Sequence, residues 1–121
     1  VLFRSHHPSL QKEYYDIIEE WKNGNLTIKI EGGESAQDLA NRINIFIDEI
    51  NNTPHQTILI CTHGRTLRAM MCLFLNKPIS QMDEFEHQNT CLYHLQSEGN
   101  QFKLIKENDT KHLNDWIKVS M

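Results

Sequence analysis

The sequence predicts an α/β fold built on a mainly parallel sheet. Three observations support this. Residues 57–62 form an apolar, β-branched run ending at Thr62, the pattern of a central strand buried on both faces. That run passes directly into a helical apolar pattern from Leu67 onward. Two amphipathic helical stretches precede it and two short alternating stretches follow it.

In chain order, the first helix is predicted over residues 9–22. Leu10, Tyr14, Ile17, Ile18 and Trp21 fall on one stripe, and Gly24 lies just past the end as a stop. Residues 26–30 (LTIKI) alternate and read as a short strand or an extended loop. EGGES (31–35) then opens a helix over about 35–51, with Ser35 and Asp38 at capping-box spacing. Leu39, Ile43, Phe46, Ile47 and Ile50 give that helix its apolar face. After the strand at 57–62, a third helix is predicted over 65–76. Leu67, Met70, Met71 and Phe74 form its stripe, widened by Cys72, Leu73 and Leu75, and Lys77-Pro78 ends it. Residues 79–88 read as a loop with one helical turn. Residues 90–96 and 101–106 read as two strands around SEGN, a hairpin.

A length of 121 residues suits one domain, and a chain this size buries roughly two-thirds of its unfolded surface. The net charge of −4, with no long Lys/Arg run, excludes an evident nucleic-acid surface. No apolar run reaches the roughly 18 residues of a membrane span, so no membrane partner is expected. Three cysteines, Cys61, Cys72 and Cys91, make an odd set, two of them within apolar segments; this favours reduced, buried thiols and a cytoplasmic location. Residues 1–5, VLFRS, match what the end of a common sequencing adapter would encode. They are expected to be an assembly artefact, with the true gene extending upstream.

The seven histidines raise the question of which one carries chemistry. His63 stands where the apolar run meets the third helix. In open α/β sheets ligands bind at the carboxyl ends of the strands. The amides of the first helical turn are free there, with the positive end of the dipole behind them. Gly64 lets an oxyanion approach the backbone, and Arg65 and Arg68 add positive charge where the dipole would favour acids. An imidazole at this place can donate hydrogen bonds to a phosphoryl oxygen. The bland alternative stays beside it: His63 as an ordinary turn residue, with both arginines solvated. A metal site using Cys61, His63 and His6, His7 or His112 lacks paired ligands at both ends, so no metal is expected. A Cys61–His63 nucleophilic pair lacks an activating environment for the thiol.

Taken in order, EGGES (31–35), ILICTHGRTLRAMMCLFLN (58–76), MDEFEHQNTCLYHL (82–95) and NDTKHL (108–113) resemble the histidine phosphatase superfamily, the phosphoglycerate mutase-like family. The resemblance spans about residues 10–113. It implies a three-layer sandwich, a mainly parallel sheet with helices on both faces. It also implies phosphoryl transfer through a phosphohistidine, without metal or organic cofactor, on a phosphorylated small-molecule substrate. His63 would be the second, phosphoryl-holding histidine. Gly64, Glu34 and Ser35 would be substrate-binding, with Glu34 equally suited to organising the helix start. The nucleophilic Arg-His-Gly motif is not present in the 121 residues, nor are the second arginine and the acid the family uses. Residues 6–121 are therefore expected to be the C-terminal part of one such domain, a partial domain with the first strand missing, inactive alone. The alternatives are a phosphoglycerate mutase, or a non-catalytic module that binds a phosphorylated ligand. Substrate identity and oligomeric state are not legible.

Overall fold

The computed structural model describes residues 8–54, 57–99 and 101–113. Among them the order is α1 (Pro8–Lys22), α2 (Ala36–Asn51), α3 (Gly64–Phe74), a 3-10 helix (Ile79–Glu84), β1 (Leu92–Glu98), β2 (Gln101–Asp109) and a short 3-10 turn (Lys111–Leu113). Residues 1–5, His6 and His7 lie outside the described set, as does the tail from 114.

The three helices form because their apolar residues recur at helical spacing and have one another to bury against. From α1, Ile17, Ile18 and Trp21 enter the core. From α2 come Ala36, Leu39, Ala40 and Ile43, and from α3 Ala69, Met70, Met71, Cys72 and Phe74. The 3-10 helix contributes Ile79 and Met82, and Phe85 closes that end. Helix α1 ends as expected, with Gly24 at φ 94°, a conformation that glycine adopts without strain.

The start of α2 carries the expected capping box. The Asp38 amide donates to Ser35 Oγ at 3.0 Å, and the Ser35 amide donates to Asp38 Oδ2 at 3.2 Å. These bonds hold the Asp38 carboxyl below its usual range. The segment 26–30 is a loop rather than a strand. Its Ile28 carbonyl accepts from Trp21 Nε1 at 2.7 Å, which uses the indole N–H that burial would otherwise strand.

The sheet differs from expectation. Among the described residues it is a two-stranded antiparallel hairpin of β1 and β2, not a mainly parallel sheet between two helical layers. The fold is α/β, but the three-layer arrangement is not present in these residues. β1 keeps the expected length but lies two residues later than 90–96, and β2 runs on to Asp109 rather than ending at 106. Ser97 pairs with Phe102 and Glu98 with Gln101, so the turn is confined to the two positions between them, starting at Gly99 with φ 65°. Tyr93, Leu95, Phe102 and Leu104 turn one face of the hairpin onto the core. Phe102 meets Phe74 of α3 edge-on at 4.7 Å between ring centroids, and Tyr93 meets Phe85 at 6.3 Å.

Residues 57–62, expected as the buried central strand, are not a strand here. Ile58 is 42% exposed and Leu59 81% exposed, the latter the highest exposure of any large hydrophobic side chain among the described residues. The physical reason is pairing. A β-branched run becomes a strand only when a neighbour completes its hydrogen-bond ladder, and no described segment pairs with it. Cys61, expected to be buried with it, is exposed; Cys72 is buried and Cys91 half-buried.

Two substitutions test this packing. Ser35→Ala removes the α2 cap and is expected to cost about 1 kcal/mol. Met82→Ala empties a site where the side chain is 1% exposed, and is expected to cost about 2–5 kcal/mol. Denaturant titrations of both variants against the parent chain measure these losses.

Candidate phosphoryl-binding turn

Helix α3 begins at Gly64, with His63 as its N-cap residue in extended backbone at φ −86°, ψ 159°. The His63 carbonyl already accepts the first helical bond, from the Leu67 amide at 2.8 Å. Its side chain makes no cap hydrogen bond, and the residue is exposed. Serine or aspartate at this position would satisfy a first-turn amide. A histidine that does not leaves the first-turn N–H groups open to an external acceptor.

Around this turn the chain places two arginines, one acid and a second histidine. Arg65 Nη1 donates to Asp83 Oδ1, and Arg68 Nη1 donates to the same oxygen at 3.3 Å. Arg68 Nε also reaches the Gly64 carbonyl at 3.3 Å. The arginines are thus neither solvated nor free; both are mostly buried and share the carboxylate of the 3-10 helix. One carboxylate against two guanidinium groups leaves the turn net positive, which suits an anion. Burial and the neighbouring Arg65 disfavour the Arg68 charge, and Asp83 works against both. Arg65 Nε is buried without a hydrogen-bond partner among the described residues, a donor that costs stability until something accepts from it.

The fourth group, His87, was not singled out by its sequence. It follows the 3-10 helix and returns to α3, where its ring covers Gly64. A Cβ built on Gly64 would lie 2.6 Å from His87 Cε1 and 2.8 Å from Nδ1. A side chain at position 64 would therefore have to displace this ring. Burial, and then the Arg68 charge, hold the His87 imidazole below the usual histidine range. A lone histidine in EFEHQN carries no motif; only its contact with Gly64 reveals it.

The other candidates lie elsewhere. Glu34 accepts from Arg42 Nε at 3.1 Å and from Arg42 Nη2 at 3.0 Å, a two-point pair at the start of α2. Ser35 is 3% exposed, with its hydroxyl engaged in the cap. His112 is turned to the Thr90 carbonyl at 2.8 Å. No group of three metal-ligating side chains occurs among the described residues. Burial pushes the Cys72 thiol up to about 11, an unreactive state near neutral pH. An open groove of about 450 Å³ runs between α1 and residues 28–29, lined by Lys12, Glu13, Asp16 and Glu20 among others. None of its lining comes from the His63 turn, and its mixed charge offers little to an oxyanion. No helix among the described residues is long and apolar enough to cross a membrane.

Comparison with known proteins identifies the family. The model of the histidine phosphatase superfamily (branch 1) matches residues 4–110, and the chain belongs to that superfamily. Among curated relatives it is similar to phosphoserine phosphatase 1 of Hydrogenobacter thermophilus, 25% identical over 108 residues, covering 88% of this chain and 51% of that protein. It is also similar to putative phosphoserine phosphatase 2 of the same organism, 22% identical over 107 residues, covering 88% and 53%. The chain thus spans about half the length of these relatives. No solved structure is a significant match.

The position of His87 yields a pH prediction. Its folded pKa is lowered from the ordinary 6.5, so the unfolded chain takes up the proton first on acidification. The contribution of this residue is complete above about pH 6.5 and is lost as pH falls through the lower, folded value. His87→Phe should lack this loss. Denaturant melts of both forms between about pH 7 and 5 report it as a difference that grows toward acid.

Proposed function

We propose that this chain is the C-terminal part of a cytoplasmic phosphomonoesterase that works through a phosphohistidine. The observation that carries the reading is His63 at the N-cap of α3 with its imidazole exposed and uncommitted to the cap, in a chain of this superfamily. In this reading the phosphoryl group sits against the first turn of α3. Gly64 contributes one of the first-turn amides that receive it, and His63 donates to its oxygens as charge builds in the transition state. Glu34 and Ser35 build the start of α2, through the Arg42 pair and the capping box.

The remaining groups belong to sequence upstream of this chain. A histidine in an Arg-His-Gly element attacks phosphorus, forming a P–N bond as the ester P–O bond breaks. An acid delivers a proton to the departing alcohol. Water then attacks the phosphohistidine, which frees inorganic phosphate and the histidine. The exposed residues 57–62 are where that upstream part of the sheet pairs. The names of the two relatives make O-phosphoserine a first substrate to try. If the upstream histidine is replaced, the chain instead belongs to a phospholigand-binding module.

In the full-length protein, His63→Ala is expected to lower kcat/KM on p-nitrophenyl phosphate and O-phosphoserine by about 10²- to 10³-fold. The 121-residue chain alone is expected to show no turnover. Unchanged hydrolysis by the His63→Ala protein, or turnover by the isolated chain, would sink the reading.

A further inference from the structure

We propose that His87 is the positioning residue that fixes the phosphoryl-binding turn, acting through Gly64. The inference rests on the functional reading above and extends it to a residue outside the recognised motif.

The turn has an inherent weakness. His63 projects from a backbone followed by glycine, the residue with the widest conformational freedom. Small rotations at Gly64 would swing both the His63 side chain and the first-turn amides. Placement of such groups matters on the scale of an ångström. Gly64 has no side chain of its own to be held by, so other groups must restrain it.

The structure supplies that restraint from two directions. Arg68 Nε donates to the Gly64 carbonyl at 3.3 Å, which holds one edge of the peptide. The His87 ring occupies the volume a Cβ would fill, with Cε1, Nδ1 and Nε2 all within 2.6–2.9 Å of that point. The backbone on either side of His87 is held in turn. Phe85, two residues earlier, is buried against Tyr93, and the Tyr93 hydroxyl donates to the Glu86 carbonyl. On the other side the Gln88 amide donates to Asn108 Oδ1 at 3.0 Å, tying the segment to β2. His87 is thus a wedge fixed by the hairpin and pressed on the glycine. Its depressed basicity keeps it uncharged near neutral pH, so it does not draw the anion away from His63.

The test uses the full-length protein with p-nitrophenyl phosphate and five variants, each checked for folding by its melt. His87→Ala removes the wedge and should lower kcat about 10- to 100-fold, with a smaller change in KM. His87→Phe keeps a flat ring and should retain most of kcat. Gly64→Ala displaces the ring and should be as damaging as His87→Ala. In the double variant the new methyl occupies the vacated volume, so its loss should be no greater than either single loss, a strongly non-additive cycle. If His87→Ala stays within about twofold of the parent kcat while His63→Ala is inactive, the wedge is wrong and the phosphatase reading stands. A poor His87→Phe with an intact melt also overturns the wedge, since the ring would then act through its nitrogens. Full activity in His63→Ala overturns the reading and the wedge together.

Discussion

The shared carboxylate of Asp83 is the interaction on which the site depends. Arg65 and Arg68 lie three residues apart in the first turns of α3, and both reach the same oxygen of a residue in the 3-10 helix. Two guanidinium groups at the positive end of a helix would repel each other and the dipole. One acid placed between them makes the arrangement tolerable and leaves a net positive charge for an external anion. The same contact brings the 3-10 helix against α3, and the segment that follows then lays His87 on Gly64.

The two halves of the strand-turn-helix element behave differently, and the difference has a simple source. Helix α3 satisfies its own backbone and finds α2, the 3-10 helix and the hairpin to bury its stripe against. The residues before His63 have an equally apolar sequence, but an extended segment needs a neighbour for its hydrogen bonds. With none paired to it, Leu59 stands in solvent. This agrees with a chain that spans about half the length of its relatives. The site-bearing helix is therefore built locally, whereas the sheet edge that should carry His63 is not.

The hairpin has a second role beyond closing the core. Phe102 on Phe74 and Tyr93 on Phe85 set its distance from α3 and from the end of the 3-10 helix. Phe85 in turn sets where residues 86–88 run. The geometry of the turn is thus linked through aromatic packing to a pair of strands that supply none of its polar groups.

Much was legible in the residues alone. The apolar stripes located all three helices, the capping box was readable from Ser35 and Asp38, and Gly99 marked the hairpin. His63 drew attention because an apolar run meets a helical pattern there, and it stands at the N-cap of α3. These features are local: each depends on residues within a turn or two of chain. What tertiary structure decided involves residues far apart in sequence. Asp83 joins Arg65 and Arg68 across 15 to 18 positions, and His87 meets Gly64 from the far side of the 3-10 helix. Whether residues 57–62 form a strand depends on a partner that no local pattern supplies. Hydrogen-bond ladders, shared counter-ions and ring contacts need two segments to meet, so only the folded chain reveals them.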